Sequence, residues 1–427
     1  DASSGATSLN GLSDCKTFGT SSLLIGDATT GTIDAADKNT GVGIDVFAAL
    51  TTGNNNVAVG FSAGTSLTTG GSNVLIGQVA GDAITTASNN IAVGQTALGA
   101  LVDDNGNVAI GDNAMQFSTD AQNNVAIGQD AGRRIVGTDN VAIGEGSMIT
   151  AGDKDFNTAV GADSLTLLET GGYNTAVGQT AMDALTTGNF NTALGRNTFG
   201  AATTASSGVA VGINSLMNIT TGGFNTAVGD AAGQVVTDGT HNCFFGYNSC
   251  PQAGDTGTVR TSLFGSNLTS TGSNANGLGS NMTCDAGYTT LGNGTDDIRA
   301  AHGNVTWATV SDERVKKDIK DSTAGLSFIN DLKPRIFNYK THGEIPKEFD
   351  HYKEGSTEVY KNDKTNHGFI AQEVKEAINN HPELSDGFKM WDVRKTGQQE
   401  VAEAALIPML VKAIQELSAE VKKLKGE

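Results

Sequence analysis

A glycine returns every seventeen residues. Gly26, Gly43, Gly60, Gly77, Gly94, Gly111, Gly128, Gly144, Gly161, Gly178, Gly195, Gly212, Gly229 and Gly246 each close an Asn-x-small-aliphatic pattern, and of the thirteen intervals twelve are 17 residues and one is 16. Past Gly246 the spacing loosens through Gly265, Gly279 and Gly292. So short a fixed period marks a solenoid with one coil per repeat, because a unit of this size cannot bury a core alone. With 56 glycines in 427 residues and 6% aromatic residues, one large globular core is a poor alternative.

The best-defined piece of a coil reads NVAVG, NVAIG or NTAVG, as in Asn56-Val57-Ala58-Val59-Gly60 and Asn174-Thr175-Ala176-Val177-Gly178. Aliphatic residues two apart have the period of a strand. The residue before Gly is aliphatic in nearly every copy (Ile25, Val59, Ile110, Leu194, with Phe245 the aromatic exception), which predicts that this side faces the coil interior. The middle residue is Ala in ten of fourteen copies, which predicts a second surface approaching closely. Asn opens the strand in twelve of fourteen copies, Asn73, Asn107, Asn140 and Asn225 among them. Asn tolerates left-handed turns, and stacked copies can bond amide to amide along a ladder. A second short strand is expected after the glycine, as in Gln179-Thr180-Ala181-Met182, and a turn such as Thr186-Thr187-Gly188 brings the chain round. At one strand spacing per coil, roughly 4.8 Å, the marked coils make a rod on the order of 80 Å long. Coils this thin cannot keep both faces dry, so a trimer or other small symmetric bundle is expected, with the Ala faces meeting.

Charge divides the chain at Val310. Residues 1–310 hold 8 Lys+Arg against 25 Asp+Glu, and residues 311–427 hold 19 against 21, so the formal charges are −17 and −2. An acidic rod argues against nucleic acid and anionic membranes, which reward clustered Lys and Arg. No run of 18 apolar residues is available to enter a bilayer. Asp1 opens the chain with neither Met nor a charged-then-apolar leader, so a signal peptide or an anchoring N-terminal part is expected to have been removed. Cys15, Cys243, Cys250 and Cys284 are too sparse for a disulfide framework and lack metal-type pairing. Cys243 stands where Val or Thr is usual and reads as a small buried apolar residue, with a Cys243–Cys250 bridge as the alternative. Asp103, Asp104, Asp112, Asp163 and Asp183 fall in turns or just past the strand without a recurring pair, so no sugar-cleaving site is read in the rod. No GGxGxD series marks calcium coils, Thr-Thr-Gly lapses too often for an ice-binding array, and no cofactor or metal is expected.

On these motifs residues 21 to 292 resemble the left-handed parallel β-roll heads of trimeric autotransporter adhesins, and more closely the NTAVG repeats of phage and bacterial tail-fibre proteins. The resemblance implies a trimeric rod that presents a binding surface outside a cell.

Asn293 to Thr309 leaves the period and is expected to link the rod to a second module. Val310-Ser311-Asp312-Glu313-Arg314-Val315-Lys316 follows, with two readings. Ser311 can be a helix N-cap with Asp312 and Glu313 in the first turn and Lys316 a surface charge. Alternatively Ser311 is a nucleophile whose base is Lys316, provided burial leaves that lysine neutral; the cut then falls between Val310 and Ser311. Ala324 to Leu332 reads as a helix, Arg335 to Lys340 and His367 to Ala371 as strands, and Gln372 to Asn380 as a helix. His342 and His367 are weighed as helpers of the pair but fit core or surface roles better. Ile407, Leu410, Ile414, Leu417, Val421 and Leu424 alternate by three and four, the seam of a short coiled coil, with an ordinary amphipathic helix packed on its own domain as the alternative.

Ser311-Asp312-Glu313-Arg314, Lys316, Ile319, Leu332-Lys333-Pro334, Phe337-Asn338-Tyr339 and Gly368-Phe369-Ile370-Ala371-Gln372-Glu373-Val374 resemble the C-terminal intramolecular chaperone of phage endosialidase tailspikes and tail fibres, a self-cleaving module also found in the myelin regulatory factor family. What the resemblance implies is a Ser311/Lys316 cleavage dyad and three strands for the coiled coil. Glu344 to Lys364 is longer than the usual loop of that family. The expected chain is therefore mostly β: an N-terminal lead-in (1–20), a trimeric β-roll shaft of 17-residue coils (21–292), a linker (293–310), and a small α+β chaperone domain ending in a coiled-coil helix (311–427). The expected function is a homotrimeric viral tail fibre or spike that binds a host-surface glycan or protein, joined to the virion tail through an N-terminal region. A bacterial surface or secreted adhesin of the same build is the alternative. A self-released transcription regulator would need a DNA-binding domain that the acidic rod is not. The chemistry expected is autoproteolysis alone.

Overall fold

The computed structural model describes residues 15–18, 21–26, 35–150, 152, 155–304, 307–309, 311–349, 351–384, 388–394 and 397–426. The chain divides into two compact units, Asp1–Val310 and Ser311–Glu427.

The first unit is a β-solenoid. Its main sheet has nineteen strands. The first, Cys15–Phe18, lies antiparallel on Ser22–Ile25, and the last, Asp296–Ala301, folds back antiparallel on Tyr288–Asn293. Between these ends the strands run parallel, coil upon coil and in register: Val57 pairs with Val74, Ala58 with Leu75 and Val59 with Ile76. The antiparallel end strands cover edges that would otherwise offer free N–H and C=O groups to other chains.

The sides of the strand are the reverse of the sequence expectation. The middle residue faces the coil interior: Ala58, Ala92, Ala109, Ala176 and Ala210 have no exposed surface, whereas Ile25, Val42, Val59, Ile110 and Leu194 are exposed on the outside. A seventeen-residue coil is narrow, and turn residues such as Phe47, Leu98, Met115 and Leu216 already fill its interior. Only a methyl group fits opposite them. Where the middle residue is large, the facing turn gives way to glycine. Leu75 packs where a Cβ on Gly64 or Gly81 would sit 2.7 Å from its methyls, and Phe244 packs against Gly233 at 2.8 Å by the same measure.

The second strand after the glycine does not form in the regular coils. Thr180 and Met182 both have left-handed φ, +52° and +54°, so the backbone from Gln179 winds through alternating turns, though it still bonds coil to coil. Short second strands appear past Gly246, at Cys250–Pro251, Thr269–Ser270 and Thr283–Cys284. The Asn ladder is present. Asn56 Nδ2 donates to Asn39 Oδ1 (3.1 Å), Asn73 Nδ2 to Asn56 Oδ1 (3.1 Å) and Asn174 Nδ2 to Asn157 Oδ1 (3.2 Å), all buried. The left-handed residue is the one before each Asn, for example Asn55, Tyr173 and Phe190. There Phe156, Tyr173 and Phe190 stack ring on ring at 5.0 and 5.1 Å on the outside.

Cys243 follows the same inversion: it is half-buried on the outer side of its strand, and the buried position belongs to Phe244. Cys243, Cys250 and Cys284 are free thiols, which removes the Cys243–Cys250 bridge. Burial raises all three, Cys284 to about 11. The side chain of Cys15 lies outside the described residues.

The second unit is α+β. Helix α1 (Leu326–Asp331), helix α2 (Ala371–Asn379) and helix α3 (Ile407–Lys425) accompany two antiparallel pairs, Arg335–Phe337 with Asn366–Gly368 and Trp391–Val393 with Gln399–Val401. Phe328, Val374, Ala377, Met390 and Leu406 form its core. The strand read from Arg335 stops at Phe337, and α1 ends ahead of Pro334, which cannot continue it.

Candidate functional site

Ser311 is the first residue of the second unit. The Lys316 ammonium donates a hydrogen bond to Ser311 Oγ at 2.7 Å. Four residues lie between them, and the 3₁₀ turn Glu313–Val315 folds the chain back so that they meet. The cap of that turn is Asp312 and not Ser311. Asp312 Oδ1 accepts from Arg314 N (2.9 Å), and its carboxylate forks onto the Arg314 guanidinium. The guanidinium bond, followed by the Arg314 backbone N–H, lowers the Asp312 pKa. With Asp312 serving as cap, Ser311 Oγ remains available to Lys316. Both Ser311 and Lys316 are exposed in the single chain. Val310, the other side of the expected cut, lies outside the described residues. His342 bonds through Nδ1 to the His351 carbonyl oxygen (2.8 Å) and rests against Tyr360, while His367 is exposed on its strand; among the described residues neither bonds to Ser311 or Lys316.

The long excursion after Tyr339 closes on itself. Thr341 bridges to Val359, and His342 N and Gly343 N donate to the carbonyls of Glu358 and Ser356. A polar cleft of about 620 Å³ runs beside it, lined by Phe337, Tyr360, Gly368, Phe369 and Gln372, so Gly368-Phe369-Ile370 form one of its walls.

Several supporting contacts carry no sequence signal. The Arg335 guanidinium forks onto Glu373 (2.9 and 2.5 Å), tying a strand to the first turn of α2. Glu416 Oε2 on α3 accepts from Leu326 N (2.7 Å), capping α1 where Gly325 has no side chain to do so. The approach is close, since a Cβ on Gly325 would lie 2.5 Å from that oxygen. His381 is buried, bonded to Asp331 (2.9 Å) and Glu383 (3.1 Å), with Phe328 edge-on. Burial alone would lower its pKa, but the bonds to Glu383 and Asp331 more than offset that and raise it.

Helix α3 has two sides. Ala413 is buried against its own unit and Glu416 reaches α1, whereas Ile407, Leu410, Ile414, Leu417, Val421 and Leu424 are all exposed. Gly426, at φ +74°, ends the helix. Among the described residues no group of three or more His, Cys, Asp or Glu could hold a metal ion, and no helix is long and apolar enough to cross a membrane.

Comparison with curated proteins and with solved structures gave no match to this chain. A family model described as chaperone of endosialidase matches residues 311–382, from Ser311 through the closed excursion and α2. With that chaperone segment behind a β-solenoid of 17-residue coils, the chain fits a tailspike- or endosialidase-like protein.

Proposed function

We propose that the chain is a homotrimeric fibre or spike of a virion tail that attaches to a host surface, folded by a C-terminal chaperone that can cut itself away between Val310 and Ser311. The observation that supports this most is the row of apolar side chains on the outer side of the sheet. Val42, Val59 and Ile76 stand exposed on three successive coils, Ile110 and Ile127 on two more and Leu194 further along, with half-buried Val93, Ile143, Val160 and Val177 at the same position of the coils between. A stripe of this length needs covering in water, and a copy of the same chain repeats it at the same spacing. The exposed face of α3 is a second such stripe, and three chains cover both at once. The match to a chaperone of endosialidase favours a tail location. The receptor would be a glycan or surface protein of the host, and a region N-terminal to the rod would join it to the virion.

A parallel solenoid assembled from several chains must be registered before its contacts form, and its open edges invite wrong pairing meanwhile. A compact trimerising end holds the chains in step while the coils close in order. In the cut, Lys316 takes the Ser311 hydroxyl proton as Oγ attacks the Val310 carbonyl carbon. The Val310–Ser311 amide becomes an ester and the Ser311 nitrogen leaves protonated. Water then hydrolyses the ester, leaving a carboxylate on Val310 and restoring the hydroxyl. Lysine acts as a base when burial makes it neutral, and neighbouring chains of the trimer would supply the cover that a single chain lacks. Loss of the registering end then traps the rod kinetically.

Denaturing gels of the full chain test the dyad. A fragment ending at Val310 is expected for wild type and is lost in Ser311→Ala and Lys316→Ala; identical full-length bands in all three retire the dyad. Sedimentation as a stable monomer removes the fibre reading.

A further inference from the structure

The rod has 8 Lys+Arg in its 310 residues, and two of them, Arg133 and Arg134, are adjacent. They lie in the one 16-residue coil, Gly128 to Gly144. Strand pairing shows where the residue is missing: Gly137–Thr138 lies beside Ala121–Gln122. Between Phe117 and Ala121 there are three residues, and between Arg134 and Gly137 only two. The turn is shortened directly after the arginines, and a cavity of about 350 Å³ lies there, lined by Phe117, Arg134, Val136, Thr150 and Gly152.

Phe117 holds both cations. The Arg133 and Arg134 guanidinium carbons stand 5.0 and 5.7 Å from the centre of its exposed ring. Arg133 is further engaged by Gln116 Oε1 (3.1 Å) and Asp130 (3.5 Å). Arg134 has no carboxylate partner among the described residues and forms part of the cavity wall. On the other side of Phe117 lies a second depression of about 200 Å³, bounded by Asp82, Thr96, Gly99, Ala100 and Gln116. The two depressions span five consecutive coils, roughly 20 Å along the rod at one strand spacing per coil. Nearly all of these residues lie five to eight positions past a strand-closing glycine, on the turn side of the coil, so the outer strand face proposed to meet other copies does not include them.

We propose that this groove is a binding site for an acidic polysaccharide of the uronate type, with Arg134 taking the sugar carboxylate in the notch of the short coil. This rests on the reading of the rod as an attachment fibre and names the chemistry of its ligand. A guanidinium fork matches a carboxylate in geometry and charge. Phe117 supplies an apolar wall for a sugar ring, and Thr96, Gln116 and Asp82 offer partners for hydroxyl groups. Asp82 weakens the hold on any uronate ring that lies beside it, so the ring gripped through its carboxylate is the one on the Arg134 side of Phe117. At physiological ionic strength charges beyond about 8 Å are largely screened, which limits repulsion from the rest of the acidic rod.

The test is equilibrium binding of the full chain to fluorescent tetramers of galacturonate, mannuronate and neutral β-1,4-linked glucose. At least one uronate should bind at least about tenfold more tightly than the glucose tetramer. Arg134→Ala and Phe117→Ala should each weaken it by about tenfold or more, Arg134→Lys by less, and Arg196→Ala, elsewhere on the rod, should leave it unchanged. Sedimentation alongside confirms that the variants assemble as wild type does. The site is overturned if neither uronate binds an assembled wild-type trimer, or if Arg134→Ala binds as wild type. Those results leave the fibre reading standing, whereas a monomeric wild type removes that reading whatever it binds.

Discussion

Asn107 lies inside the amide ladder with no exposed surface. Its Nδ2 donates to Asn90 Oδ1 (3.2 Å) and to Ala121 O (2.6 Å), and its Oδ1 accepts from Asn124 N (3.0 Å) and Asn124 Nδ2 (3.3 Å). Asn107→Ala therefore strands a backbone carbonyl and a backbone N–H in a dry interior. Each orphaned group costs about 1–3 kcal/mol, so the pair costs about 2–6 kcal/mol, and a water entering the vacated space moves the value toward the lower end. At 1.4 kcal/mol per tenfold, 2 kcal/mol is roughly a 30-fold change in the opening equilibrium. Native-state hydrogen exchange on the full chain reads it directly. The Asn124 amide and those of Val108–Ile110 should exchange roughly 30-fold faster or more, while coils beyond Val177 keep their protection, because a solenoid couples only near neighbours. Asn107→Asp separates the two losses: it keeps the acceptor for Asn124 N but removes the donor for Ala121 O and sets a carboxylate against Asn90 Oδ1. Between Asn39 and Asn242 one position of the ladder lacks the amide, Gly208, and there the Phe199 ring occupies the space, within 2.5 Å of where a Cβ would lie. Asn107→Ala has no such filler. Asn124 protection within about threefold of wild type would refute the ladder as a source of stability.

The orientation of the strand is tested by a pair of substitutions. Ala109 faces inward against turn positions held by Leu98 and Met115, so Ala109→Leu should overpack and cost about 1–3 kcal/mol, whereas Ile110→Asp on the outer side should leave exchange within the coil unchanged and reduce trimer formation in sedimentation. If Ile110→Asp unfolds the coil and Ala109→Leu is neutral, the sides are as the sequence suggested. His381 gives the second unit a pH dependence. Its folded pKa is raised, so its contribution is fully present below about 6.5, the unfolded value, and is lost as pH rises through the higher folded value. The difference in thermal stability between wild type and His381→Ala, followed by Trp391 fluorescence, should therefore narrow from pH 6 to pH 9, and a difference that widens would refute the assignment.

The period, the strand and the ladder were legible because each repeats: the glycine series alone places the parallel strands, and Asn at twelve of fourteen positions announces a shared role. The second strand was misread because Gln179-Thr180-Ala181-Met182 has the residue types of an extended segment, while left-handed turns are set by what the next coil accepts rather than by local preference. In the second unit the helix ahead of Pro334 and the close spacing of Ser311 and Lys316 could be read locally. Glu416 capping α1 from 90 residues away could not, nor could His381 between Asp331 and Glu383, since neither spacing is periodic and each pairing exists only once the chain has folded.

The misassigned strand face follows from the size of the coil. Large aliphatic residues are usually inside and small ones at close approaches, and that rule holds where a layer has room for a Val or Ile side chain. Here the interior of each coil is closed by a residue such as Leu98 or Met115 from the turn, so the strand can contribute inward only an Ala, or a Leu where the turn yields a Gly. The aliphatic residues on either side of that Ala must then point out, at every coil, because strand side chains alternate. The narrowness that fixes Ala within thus produces the apolar stripe without, and a sequence able to close coils of this width arrives with a surface that only further copies of itself would match along its whole length.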